Sequence, residues 1–128
     1  MALEPLAKKG NFFHVYDFRV EPGTGDEFID LFNEYDYSDD NPMHKSSAQV
    51  KDGVLCRDTE DPNHFYLIGE WRDIDVHREI REQMAAGRHG SAGFLALLED
   101  PAFVPTYAEI VTETPQDILD KAEAARAD

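Results

Sequence analysis

The chain has 128 residues, 41% of them hydrophobic and 30% charged, and a formal net charge of -15 at pH 7. That length suits one domain with a real core. The acidic excess predicts repulsion from nucleic acid and from anionic membrane surfaces, and reflects either solubility in a salty habitat or a surface for a basic partner. Cys56 is the only cysteine, which excludes an internal disulfide and a cysteine-cluster metal site. The apolar runs are short and Met1 to Gly10 lacks the apolar stretch of a signal peptide, so the expectation is a soluble, cytoplasmic protein.

Residues 1–10 read as a short leader ending in Lys8-Lys9-Gly10. Asn11 to Val20 is rich in β-branched and aromatic residues. Phe12, His14, Tyr16, Phe18 and Val20 fall on one face and Phe13 and Val15 on the other, which predicts a strand covered on both sides. Pro22, Gly23 and Gly25 break it. Thr24 and Glu27 have capping-box spacing, and Phe28, Leu31, Phe32 and Tyr35 then form the apolar stripe of a helix. Asp36 to Pro42 reads as a loop. Ser46 to Asp58 reads as a strand bent near Asp52-Gly53, and His64 to Trp71 is the clearest strand.

Asp73 is placed to cap a second helix, in which Val76, Ile80 and Met84 recur every fourth residue. Gly87 and Gly90 interrupt it, and Phe94, Leu95, Leu97 and Leu98 cluster in a further helical stretch from about Ser91. Val104 to Glu113 predicts the last strand, and Thr114-Pro115 opens a final helix. The order is β-α-β-β-α-β with an extra C-terminal helix: a leader at 1–10, an α+β ferredoxin-like domain at 11–113 with an antiparallel sheet, and a helical tail at 114–128. Helices cover one sheet face. Apolar residues on the other predict a second copy of the chain there, giving a homodimeric α/β barrel.

Phe13 to Gly23 with the following helix, Gly69-Glu70-Trp71 with a helix carrying His77, and Tyr107-Ala108-Glu109-Ile110 together resemble the antibiotic-biosynthesis-monooxygenase family over roughly Asn11 to Val111. The resemblance implies a small dimer with a cavity between sheet and helices. It also implies oxidation of a polyphenol or quinol by molecular oxygen with no metal, flavin or other cofactor. On that resemblance Trp71, His77 and Arg88 stand at the catalytic positions, with His77 where a tyrosine is usual. The family's asparagine position falls at Leu67. A haem-degrading branch resembles the chain less, because its landmarks fall at Tyr16, Ile80 and, with an offset of one residue, His89.

A substrate that itself reduces oxygen needs only to be deprotonated, kept dry and stabilised as an anion. A histidine suits the base, an arginine or an indole N–H the oxyanion, and aromatic walls the flat ring. His77, Trp71 and Arg88 are the expected catalytic groups, and His14, Tyr16, Phe12, Leu67 and His89 the expected substrate contacts. Arg88 and His89 sit in a Gly-flanked stretch that reads either as a lid or as a plain helix break. The five histidines lack metal-binding spacing, and neither a phosphate loop nor a nucleophile elbow is present. The rival expectation is a non-catalytic barrel binding a small apolar ligand, its cavity filled by Phe and Leu side chains.

Overall fold

The structure, a computed structural model, describes residues 2–86, 93–100 and 103–126. Among these, strands β1 (Phe12–Arg19), β2 (Val54–Arg57), β3 (His64–Trp71) and β4 (Thr106–Glu109) form one antiparallel sheet in the order β2-β3-β1-β4. Helices α1 (Gly25–Asp36), α2 (Ile74–Ala86) and α3 (Gln116–Ala124) and 3₁₀ turns at Met43–Lys45 and Gly93–Leu97 complete them. β3 lies between β1 and β2 and runs against both, which is the split β-α-β of the ferredoxin-like fold. No helix among the described residues is long and apolar enough to cross a membrane.

The β1–β3 register pairs Phe12 with Trp71, His14 with Gly69, Tyr16 with Leu67 and Phe18 with Phe65. Paired residues share a face, so these side chains all look toward the helices, joined by Leu55 from β2 and Tyr107 from β4. The packed core occupies one end of that face. Phe28 and Phe65 are fully buried there, with Val20, Phe32, Phe94 and Leu98 around them. The rings meet at 5.0 to 5.9 Å, edge-on or tilted as well as stacked, a range typical of aromatic pairs.

Several boundaries differ from those the sequence predicts. Thr24 occupies the N-cap of α1, but its hydroxyl donates back to the Glu21 carbonyl at 2.6 Å, so the capping box with Glu27 does not form. The strand expected from Ser46 is reduced to Val54–Arg57 and an isolated bridge between Gln49 and Trp71. β4 is shorter at both ends. Before it, Phe103 has a left-handed φ of 46° and Pro105 has no N–H for a ladder. Beyond it, the pairing closes with the Ile110 N–H donating to the Asn11 carbonyl at 2.9 Å, just before β1 starts, and Val111 is left exposed. Pro115, not Thr114, takes the N-cap of α3. The interruption expected at Gly87 and Gly90 lies outside the described residues.

On the outer sheet face Phe13, Val15, Cys56, Tyr66 and Ile68 are only half-buried and Val54 is exposed. One corner of that face is strapped by the leader. The Lys8 backbone N–H and the Asn11 side-chain amide donate to Glu70 Oε2 at 3.0 and 2.8 Å, and the Gly10 N–H donates to the Ile110 carbonyl at 2.9 Å. Another corner is polar: His64 pairs with Asp17, and the Tyr66 hydroxyl donates to Asp58 Oδ2 at 2.9 Å. Because Phe28 touches four other rings in the core, Phe28→Ala is expected to destabilise the fold by about 3–5 kcal/mol. Guanidinium denaturation measures this, and a loss below about 1 kcal/mol would show that the aromatic cluster is not closely packed.

Candidate active site

Beyond the packed end, the inner face opens into a cavity of about 610 Å³ between the sheet and the helices α1 and α2. Leu55, Leu67, Phe32 and Phe103 give it apolar walls, and His14, Tyr16, His77 and Arg81 give it a polar end. β1 supplies His14 and Tyr16, two residues apart on one face. The fourth and eighth residues of α2, His77 and Arg81, lie one turn apart and look down on them.

His14 lies across Gly69, its partner in β3. A Cβ at Gly69 would come within 2.7 Å of the His14 ring, so glycine is required for the imidazole to lie flat on the sheet. The ring sits 4.8 Å from that of His77 and 5.3 Å from that of Tyr16. Both His14 ring nitrogens are buried without a hydrogen-bond partner, an arrangement that costs about 1–3 kcal/mol for each such group unless a ligand supplies the bond. Burial lowers the His14 pKa to about 4.

His77 is 1% exposed. Trp71 stands edge-on to it at 4.8 Å, and Nδ1 of His77 meets the Tyr107 hydroxyl at 2.7 Å. Burial, and then the positive charges that His14 and Arg81 can carry, lower the His77 pKa to about 3. Both imidazoles are therefore neutral at physiological pH. The Tyr16 phenol is pushed up by burial, against the opposing pull of Arg81. Phe103 stacks on Tyr16 at 4.4 Å, and its carbonyl accepts from Arg81 Nη2 at 2.9 Å, two contacts that hold its left-handed backbone.

Of the residues singled out from sequence, His14, Tyr16, Leu67 and His77 line the cavity. Trp71 stands behind His77, buried, with its indole N–H unpartnered. Phe12 lies at the start of β1 between Trp71 and Glu109, away from the lining. Arg88 and His89 fall outside the described residues. Sequence reasoning passed over Arg81 and Tyr107. Arg81 belongs to the stripe His77, Arg81, Met84 that faces the cavity, one step round the helix from Val76. Tyr107 is placed by its pairing with His14.

A second polar group lines the same cavity, drawn from the expected loop at Asp36 to Pro42, from His44 beyond it and from the bend at Asp52. His44 Nε2 lies 3.0 Å from Asp52 and 3.5 Å from Asp36. The buried Asn41 donates to Asp36 Oδ1 at 2.9 Å, and burial raises the Asp36 pKa. Among the described residues, no three His, Cys, Asp or Glu side chains are placed to hold a metal ion.

No protein-family model matches the sequence, and no curated protein matches it. Solved structures do match its fold. A candidate antibiotic biosynthesis monooxygenase from Bordetella bronchiseptica aligns with a TM-score of 0.63 at 17% identity, over 81% of this chain and all of that one. SnoaB, a cofactor-independent oxygenase from Streptomyces nogalater, aligns in its N63A form with a TM-score of 0.56 at 20% identity, over 83% and 96%. PA3566 from Pseudomonas aeruginosa aligns with a TM-score of 0.56 at 18% identity, over 83% and 97%. At these identities the likeness establishes the fold.

The two histidines tie stability to pH. Unfolded, each takes up a proton near its ordinary value of 6.5, whereas folded they wait until about 4 and about 3. The unfolded chain thus binds more protons in this window, and stability falls as pH drops from 6.5 toward 4, by up to about 1.4 kcal/mol per pH unit for each histidine. Urea denaturation at pH 7 and pH 5 should show this loss in the wild type and a smaller one in His14→Gln. Equal losses would mean that His14 is not held neutral by the fold.

Proposed function

We propose that this chain is a member of the antibiotic-biosynthesis-monooxygenase family that oxygenates an aromatic or quinol-like small molecule without a cofactor, acting as a homodimer. The observation that carries the reading is the pair of neutral, buried histidines at the polar end of an aromatic-walled cavity, one with both nitrogens unpartnered. The fold shared with SnoaB, a cofactor-independent oxygenase, supports it.

The chemistry asks little of the protein beyond acid–base work and charge stabilisation. A phenol in its keto form has a ring carbon bearing two hydrogens. A histidine removes one as a proton, leaving the phenolate, which Arg81 and a hydrogen-bond donor hold as it forms. The phenolate gives one electron to O₂, producing a carbon radical and superoxide. These couple to form a C–O bond, and the resulting peroxide takes back the proton and loses water to leave a carbonyl. Two hydrogens and one O₂ thus become one carbonyl oxygen and one water. Phe103, Phe32 and Leu67 keep the ring dry and flat against the sheet.

Oxygen uptake with a panel of hydroquinones and fused-ring phenols tests the reading. His14→Gln and His77→Ala are each expected to lower the rate by about 10²-fold, the scale of a lost acid–base or oxyanion group. Wild-type rates in either variant would remove that residue from the mechanism. No uptake on any substrate, with tight binding of the same compounds, would favour the non-catalytic binding barrel.

The half-buried outer face of Phe13, Val15, Tyr66 and Ile68, with the exposed Val54 beside it, is an apolar sheet face that a second copy could cover, and it supports the dimer. Ile68→Asp, which places a charge at its centre, is expected to shift sedimentation from dimer to monomer. A monomeric wild type would overturn this part of the proposal.

A further inference from the structure

Resting on that reading, we infer that Tyr107 holds His77 as the tautomer protonated on Nε2, so that His77 is the hydrogen-bond donor to the substrate oxyanion and His14 is the base. The contact between His77 Nδ1 and the Tyr107 hydroxyl, 2.7 Å long, can run either way in principle. Three features favour the phenol as donor. A phenol O–H is the more acidic donor of the two, and an imidazole lone pair is a better acceptor than a phenol oxygen. The Arg78 guanidinium lies 4.9 Å from the Tyr107 ring centroid and draws electron density from it, which strengthens the O–H as a donor.

A neutral imidazole carries one proton. If Nδ1 accepts, that proton sits on Nε2, the nitrogen left for a cavity ligand. The one lone pair of His77, on Nδ1, is then taken by the Tyr107 hydroxyl, so His77 offers the cavity a donor and no site for a substrate proton. His14 keeps a lone pair free for that proton, because neither of its nitrogens is committed to a partner. Two chemically identical side chains with rings 4.8 Å apart are thereby given opposite tasks by one hydroxyl on β4. Tyr107 touches no substrate in this scheme and is a positioning residue.

The tautomer is read directly in the ligand-free protein by long-range ¹H–¹⁵N correlation of ¹⁵N-labelled wild type, with His77 assigned through His77→Gln. The expected result is a bare Nδ1 and a protonated Nε2; the reverse pattern overturns the inference. Tyr107→Phe should give a mixture of both forms and lower kcat about tenfold with KM within about twofold, the scale of one lost donor in part of the molecules. In the oxygen-uptake assay His77→Gln, which can still donate, should stay within about tenfold of wild type, while His14→Gln, which cannot accept a proton, should lose about 10²-fold or more. Oxygen uptake from a protein whose His77 is protonated on Nδ1 would overturn the division of roles and leave the oxygenase reading standing. The expected tautomer in a protein without oxygenase activity would overturn that reading and the assigned roles with it.

Discussion

The register between β1 and β3 is the constraint on which everything else depends. Eight consecutive pairs place Phe18 beside Phe65 at one end and His14 beside Gly69 at the other. The first pair seeds the aromatic core under α1, and the second leaves room for an imidazole where a core residue would otherwise pack. A slip of one residue would send Phe13 and Val15 to the helices and His14 and Tyr16 to the outer face, losing core and cavity together. The cavity exists because the same face is packed with phenylalanine at one end and lined with polar rings at the other.

The electrostatics divide along the same line. The chain as a whole is strongly acidic, yet the polar end of the cavity holds neutral histidines, protonated phenols and the guanidinium of Arg81. Carboxylates enter the lining at Asp36 and Asp52, where His44 and Asn41 engage them. An anion formed beside His14 and His77 therefore meets donors and a cation there, inside a molecule whose exterior repels anions. The low dielectric that keeps both imidazoles neutral also strengthens each hydrogen bond offered to such an anion.

The sequence carried the fold plainly because its strands have period-two patterns and its helices period-four ones. His64 to Trp71 could be bounded to the residue, and the alternation in β1 assigned every side chain to the face it occupies. Details decided by competing local contacts are less legible. Thr24 looks like a capping residue until Glu21 takes its hydroxyl, and the strand expected at Val104 is cut short by Phe103 and Pro105. For the site, the two histidines stood out by chemistry. Arg81 was hidden because an apolar stripe through Val76 draws the eye one position away from the face that is buried. Tyr107 was hidden because only pairing across the sheet brings residue 107 to residue 14.

Gly69 and His14 also bear on how this chain can diverge. The imidazole occupies the space that any side chain at position 69 would need, so a change at 69 depends on one at 14. A descendant that gains even a methyl group at 69 must shift or replace the ring at 14 and so disturb its approach to His77. Losing the ring at 14 would release 69 from glycine. Substitution at this pair is therefore ordered, with the ring going first. A relative that keeps a bulky residue opposite a non-glycine must have built the polar end of its cavity differently.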